Sequence, residues 1–280
     1  MRVFNSDFGV IIENLKWELE QVILHQIKKE LLRTMNWKQI IIWVILIIPL
    51  PIIKFLMVDD GYIYNRQIEV FLRVNSDFVP LLFPLLIIAA YTPRFIGEQK
   101  NNFLLYVNSR ISLKDYFYVK LIVNIIISFF IAFFCVFIPF LFIMYIEPNL
   151  NIVTISPIKG NIIPITTFEQ FLTFGTFIYG LIYSSWVGIN GVLYATFALL
   201  LLMISEKPLV SLTTPFIYYI FGNFLTQLLN YDKFSPGSTI FPFSISIQPL
   251  WTVLVPFCVL LMIVLILFYI LKRQVGASYE

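Results

Sequence analysis

Long uncharged apolar stretches decide what this chain can fold into. Residues 121–146 contain no charged side chain, and residues 250–271 form a second stretch of the same kind. A helix needs roughly 20 apolar residues to cross the hydrocarbon core of a bilayer, and both stretches are long enough. The mean hydropathy of +0.87 and the 29 phenylalanines do not fit a soluble domain. The sequence therefore predicts an all-α, polytopic membrane protein.

Six spans account best for the distribution of charge. The stretch 168–205 is ambiguous, because it holds either two short spans or one span preceded by a re-entrant or interfacial helix. Lysine and arginine concentrate on the cytoplasmic side of membrane proteins, and a single span here keeps Lys272 and Arg273 on that side. We therefore predict cytoplasmic N and C termini in a bacterial cell membrane, a transmembrane domain over 39–271 and a tail over 272–280. The predicted spans are about 39–58, 78–96, 120–146, 186–205, 209–228 and 250–271.

The N-terminal segment 1–38 has the pattern of an amphipathic helix. Its apolar residues recur at the spacing of one helical face and are Leu15, Leu19, Val22, Ile23, Ile27, Leu31 and Leu32. Its opposite, polar face is expected to carry Lys16, Glu20, Lys28, Lys29 and Glu30. We predict an interfacial helix before the first span, with Arg33, Trp37 and Lys38 at the membrane surface. Simple anchoring would explain it equally well.

Motifs for nucleotide binding, metal binding and hydrolysis are missing from the sequence. There is no G-x-x-x-x-G-K-[ST], no G-x-S-x-G and no H-E-x-x-H, and His25 is the single histidine. We expect no enzyme activity and no cofactor in this chain. The predicted spans also lack an obvious ionisable residue at mid-membrane, where ion-coupled carriers hold their coupling charge. Energy for transport would have to come from another subunit.

A polar segment, "GEQKNNFLLYVNSRISLKD" at residues 97–115, separates the second and third spans. Phe103, Leu104 and Val107 recur at helical spacing, and Ser112 with Asp115 has the form of a capping box that starts the next helix. A positively charged loop that only fixes topology would not need an apolar helical face. We therefore predict a short amphipathic helix that contacts another protein.

The six spans, the amphipathic N terminus and this loop together resemble the membrane subunits of ABC transporters of the ABC-2 permease type. In that family the loop has a Glu, a short helix, a Ser-Arg turn and a Lys near the third span. The matching positions here are Glu98, Leu104 with Leu105, Ser109 with Arg110, and Lys114 or Lys120. The chain departs from the family at Asn101 and Asn102, where a small residue and Gly are more usual.

The resemblance implies that the loop is a coupling helix docked on a separate nucleotide-binding subunit, which binds ATP and Mg²⁺. The contact residues it implies are Glu98, Lys100, Phe103, Leu104, Val107, Arg110 and Lys114. It also implies a second permease subunit, identical or a sibling, because a six-span half encloses no pathway alone. Membrane lipid is the other expected partner, and nucleic acid is not.

A substrate path is expected between spans two and five of the paired subunits, where Phe216, Tyr218, Tyr219 and Asn223 mix aromatic and polar groups. Packing or lipid contact is the more common explanation for such residues, because Phe and Tyr occur in any span. The scarcity of charge in the spans favours an amphipathic or apolar substrate, such as a peptide antibiotic or a lipid. The alternative to an ATP-driven exporter is an ATP-independent channel, secondary carrier or scaffolding subunit. An intramembrane enzyme would need catalytic residues that the sequence does not offer.

Overall fold

Six helices of the computed structural model are long and apolar enough to cross a membrane, as the sequence predicts. The structure describes residues 21, 23–58, 63–101, 112–156, 167–205, 207–241 and 248–277. The protein is a polytopic membrane protein, and within these ranges its regular secondary structure is helical. Spans one to six are Trp37–Leu56, Phe78–Lys100, Leu113–Leu150, Thr176–Ser205, Pro208–Leu228 and Trp251–Gly276. A further helix over residues 23–34 precedes span one and is called the N-terminal helix below. We call the end of the bundle that carries it the proximal end, and the opposite end the distal end.

Prolines divide the first two spans into shorter helices. Span one consists of Trp37–Ile47 and Pro49–Leu56, and span two of Phe78–Ala89 and Thr92–Lys100. The N–H of Arg94 donates to the carbonyl of Tyr91 over 3.1 Å, so the carbonyl of Ala90 is left to other donors. Gln39 Nε2 and Trp43 Nε1 of span one donate to it over 3.0 and 2.9 Å. These hydrogen bonds at the break in span two thus join it to span one.

Span three begins at the predicted capping box and is longer than expected at both ends. The hydroxyl of Ser112 accepts a hydrogen bond from the backbone N–H of Asp115 over 3.1 Å, which confirms the cap. The α-helix runs over Leu113–Leu141, continues as a π-helical turn over Phe142–Ile146 and ends with Glu147–Leu150. Lys120, predicted at the first residue of this span, lies two turns inside it.

Span four is the centre of the bundle, and 78% of its most apolar window is buried. Small residues recur along one face of it, and they are Gly180, Ser184, Gly188, Gly191 and Ala195. A Cβ added to Gly180, Gly188 or Gly191 would lie within 3 Å of a side chain of span three. Spans three and four are therefore in close contact along most of their length.

Span four begins at Thr176, ten residues before the predicted start at Trp186. Residues 176–185 belong to the same continuous helix, and a single 3₁₀ turn, Glu169–Phe174, precedes it. The aromatic and glycine content that favoured an interfacial segment serves packing instead, since Tyr179 and Tyr183 are buried.

The distal end carries a short helix, Gln67–Val74, that the sequence reading did not predict. It buries Ile68, Val70, Phe71, Leu72 and Val74 against the spans. Arg66, immediately before it, forms ion pairs with Glu69 and with Glu169 of the turn that precedes span four. Lys54 of span one is buried and paired with Asp77. The connecting segments therefore cap this end.

The remaining helical segments are Asp232–Phe234 and Pro236–Ile240, between spans five and six. Spans one, five and six have open outer faces, with only 17%, 17% and 22% of their most apolar windows buried. Their exposed residues include Ile45, Phe221 and Ile266. These faces are available to lipid or to other chains.

Candidate functional site: an ionic cluster at the base of the polar loop

The N-terminal helix packs its apolar face on the protein. Ile23, Ile27 and Leu31 are partly buried against the core, and the next turn of the same face buries Glu30 and Thr34. The prediction that Glu30 lies on the polar face is therefore wrong. The physical reason is a basic partner in span three, which makes a buried position available to a carboxylate.

Lys120 of span three is that partner, and it is shared by two carboxylates. Its ammonium lies 2.7 Å from Glu30 Oε1 and 2.6 Å from Glu98 Oε2 at the end of span two. All three residues are at least nine-tenths buried. One lysine therefore joins the N-terminal helix to the two helices that flank the polar loop. Lys120 and Glu30 are 90 residues apart in the sequence.

Two arginines and a tyrosine complete the site, which we call the ionic cluster: Glu30, Arg33, Arg94, Glu98, Tyr116 and Lys120. Tyr116 donates a hydrogen bond to Glu98 Oε2 over 2.9 Å. Arg94 donates to the carbonyl of Arg33 over 2.9 Å, and its Nε lies 3.6 Å from Glu30 Oε1 and 3.9 Å from Glu98 Oε1. Arg33 lies 3.7 Å from Glu98 Oε1. Each of the three helices contributes at least one charge.

The formal charges of the ionic cluster nearly cancel. Three cations and two carboxylates leave a formal charge of +1. Burying an ion costs several kcal/mol, so each carboxylate depends on its neighbours. The contacts are unequal, however, because Glu98 Oε1 and Arg94 Nε have no hydrogen-bond partner among the described residues. Lys120 thus makes the closest contacts, while the arginines act through charge at longer range.

The predicted partner contacts divide into three groups. The carboxylate of Glu98 points into the ionic cluster and is buried, so it is not exposed to a partner at the surface. Lys100 and Lys114 are exposed at the two ends of the loop, where a partner could reach them. Phe103, Leu104, Val107 and Arg110 lie outside the described residues. The site therefore consists of the buried ionic cluster and the polar loop that begins and ends beside it.

The sequence contains a partial indication of the ionic cluster. Ile23, Ile27, Glu30 and Thr34 are spaced by four, three and four residues, which places Glu30 on the apolar face. Arg94 and Glu98 are four residues apart on one helix, a spacing that allows an ion pair. Neither pattern points to Lys120, because nothing in a single sequence links it to two distant carboxylates.

Two of the residues predicted to line the substrate path form hydrogen bonds within the protein. Because Pro84 has no N–H for the carbonyl of Pro80, the buried Tyr219 hydroxyl donates to that carbonyl over 2.8 Å. Asn223 Oδ1 accepts from the N–H of Gly237 over 2.6 Å. Tyr219 and Asn223 also line a distal cavity of about 220 Å³ with uncharged neighbours, and Phe216 does not line it.

Comparison of the chain with protein-family models, with curated proteins and with solved structures finds no match. The resemblance to ABC-2 permeases therefore depends on the architecture and on the loop between spans two and three. What the chain does has to be argued from its own residues.

Proposed function

We propose that this chain is the permease subunit of an ATP-driven exporter. In this proposal a separate subunit binds ATP and Mg²⁺ and docks on residues 97–115 at the proximal end, which faces the cytoplasm. The observation that carries the proposal is the ionic cluster, because it joins every helix that meets the base of this loop. A loop that only connects two spans gains nothing from such an anchorage.

The cluster gives a mechanical route from the loop into the bundle. A displacement applied between Lys100 and Leu113 acts on the ends of spans two and three, and Glu98 and Lys120 hold those ends together. Glu30 adds the N-terminal helix to the same unit. Packed elements joined in this way move as a rigid body, which is how an ATPase subunit would drive the spans. Glu98 is then a positioning residue, while Phe103, Leu104, Val107 and Arg110 are the docking residues.

The transport pathway in this proposal lies between two permease subunits. The open apolar faces of spans one and five are surfaces through which a second subunit, identical or a sibling, could pack. The uncharged lining of the distal cavity at Tyr219 and Asn223 fits an amphipathic substrate, such as a peptide antibiotic or a lipid, better than an ion.

An ATP-independent carrier is the second candidate, and one observation favours it. Glu98 of span two and Lys120 of span three are buried ionisable residues in membrane-spanning helices, where such residues often mark ion pathways, although both lie towards the proximal end and not at mid-membrane. The two candidates differ in a measurable way, since flux through reconstituted protein without ATP would support the carrier. Dependence of flux on the ATPase would support the exporter.

The experiment co-expresses the chain with a candidate ATPase encoded beside its gene and measures co-purification. We expect Phe103→Asp with Leu104→Asp to abolish the complex, because it places two charges on the apolar docking face. The matched control is Leu209→Asp with Val210→Asp, at exposed positions in the first turn of span five, where acidic residues suit the helix terminus. A full-strength complex in both variants would rule out docking through this loop.

A further inference from the structure

A second feature of the proximal end is a slot between spans three and six. Its volume is about 220 Å³, and it is lined by Lys114, Phe117, Tyr118, Leu121, Phe268, Lys272, Val275 and Gly276. The span-three residues are spaced by three, one and three positions and the span-six residues by four, three and one, so each set lies on one helical face. The slot is therefore a groove between two parallel stripes of side chains.

The lysines and the aromatic rings of the slot lie at matching depths. Lys114 is one turn from Tyr118, and Lys272 is one turn from Phe268. The rings of Tyr118 and Phe268 contact each other with centroids 6.1 Å apart, so they mark a common depth in the bundle. Spans three and six run in opposite directions, and both lysines consequently lie on the proximal side of these rings. The slot has a cationic entrance and an aromatic interior.

Among the described residues, the charged groups that line the entrance are lysines. The lining residues include two lysines and no carboxylate, and Arg273 is exposed next to Lys272. The nearest acidic neighbour in sequence, Asp115, accepts a hydrogen bond from the Ser112 hydroxyl over 2.6 Å. A cationic entrance above an apolar groove between spans suits an anionic headgroup with a hydrocarbon chain.

No side chain in the described part of the chain closes the slot. A Cβ built on Gly276 would meet no atom within 4 Å, and Tyr118 is 43% exposed. We propose that this slot binds one anionic phospholipid, with the phosphate between Lys114 and Lys272 and an acyl chain along Phe117, Leu121 and Phe268. None of the lining residues belongs to the ionic cluster, and of them only Lys114 lies in the proposed docking segment 97–115. Lipid binding to the chain alone requires no ATPase, so it is tested separately from the proposed transport function.

The test measures lipid binding to the delipidated full-length protein in detergent by native mass spectrometry. The probes are phosphatidylglycerol and phosphatidylcholine with identical long acyl chains. A lysine near an anionic lipid surface contributes about 1 kcal/mol, or about fivefold in affinity. We therefore expect Lys114→Gln with Lys272→Gln to weaken phosphatidylglycerol binding about 30-fold and to leave phosphatidylcholine binding unchanged.

The matched control is Lys38→Gln with Lys207→Gln, which removes two exposed proximal lysines away from the slot. Equal losses in both double variants would show diffuse surface charge and overturn the proposal, as would unchanged binding in Lys114→Gln with Lys272→Gln. Inorganic phosphate or a very short-chain phosphatidylglycerol that binds as well as the long-chain lipid would show an anion site without a chain groove, which also overturns it.

A second measurement avoids the question of whether the variants fold. Wild-type protein is irradiated with phosphatidylglycerol that carries a photoreactive group on its acyl chain, and the labelled peptides are sequenced. The proposal predicts labelling at Phe117, Leu121 and Phe268. Labelling spread evenly over the open faces of spans one and five, with none in the slot, would contradict it.

Discussion

At the scale of single residues, Lys120 is the side chain on which the proximal end depends most. It is 2% exposed and neutralises two carboxylates at hydrogen-bonding distance. Lys120→Met would leave Glu30 and Glu98 buried with only the longer-range arginines for compensation. We expect a loss of about 3–5 kcal/mol in the free energy of unfolding, measured by thermal or denaturant unfolding in detergent.

The control for this prediction is Lys100→Met, which removes an exposed lysine two residues after Glu98. We expect little change in that variant, since exposed ion pairs contribute little. Adding Glu30→Gln and Glu98→Gln to Lys120→Met should recover part of the loss, because no carboxylate is then left buried without its lysine. Equal stability of the Lys120→Met and Lys100→Met proteins would contradict the structural role of the cluster.

Asp77 makes the distal end sensitive to acid. Burial raises the pKa of Asp77, but the hydrogen bond and the charge of Lys54 outweigh burial and lower the pKa below its ordinary value of 3.8. A carboxylate whose pKa is lowered by folding stabilises the protein above its unfolded-state pKa. This contribution is lost as the pH falls through the lowered pKa of the folded state.

Asp77→Asn should therefore be less stable than wild type at neutral pH. The difference should begin to shrink once the pH falls below about 4 and should vanish in stronger acid. Unfolding midpoints of the two proteins across this pH range measure it. A difference that stays constant into strong acid would show that Lys54 does not act through the charge of Asp77.

The residue scale is also where the sequence was least informative. Helical spacing identified the apolar face of the N-terminal helix but not the buried position of Glu30. A pattern of polarity reports which positions are apolar, and an ion pair between residues 30 and 120 has no such signature. The same limit applies to Glu98, which looked like a surface contact because its neighbours Gln99 and Lys100 are polar.

At the scale of helices, the tight packing of spans three and four is the feature most open to test. A Cβ on Gly191 would lie 2.5 Å from the Cβ of Ala132, and both atoms are on rigid helices. Gly191→Ala should therefore destabilise the protein by about 1–3 kcal/mol through overpacking. Adding Ala132→Gly, which removes the opposing methyl group, should restore most of the stability.

Gly97→Ala provides the control, since a Cβ at this helical position meets no atom within 4 Å. That variant should be neutral or slightly more stable, because alanine favours a helix over glycine. Failure of the Ala132→Gly partner change to rescue Gly191→Ala would show that the two helices do not meet at these residues. Thermal unfolding of the four proteins in one detergent decides the matter.

The number of spans followed from the sequence, while the extent of some did not. The charge-free runs predicted spans three and six, since no other structure satisfies backbone polar groups in a bilayer. Glycine and serine obscured the start of span four, because they lower its apolar character although span three covers that face. The short helix Gln67–Val74 was missed because its burial depends on the spans around it.

At the scale of the whole molecule, the two ends of the bundle differ in chemistry. The proximal end has the ionic cluster and the lysine-lined slot, and the distal end is capped by Gln67–Val74 and its ion pairs. Composition predicted the membrane class, but the assembly could not be read from one chain. Spans one, five and six present open faces to lipid or to other chains, a second copy of this chain included.

The central claim is that the loop between spans two and three docks on an ATPase subunit. Site-specific photo-crosslinking tests it most directly, with a photoreactive amino acid placed at Leu104 in membranes that contain both proteins. We predict a cross-link from Leu104 to the ATPase and none from Leu209, an exposed apolar residue at the same end of the bundle. Cross-linking of Leu104 to lipid alone, with the ATPase present and folded, would contradict the claim.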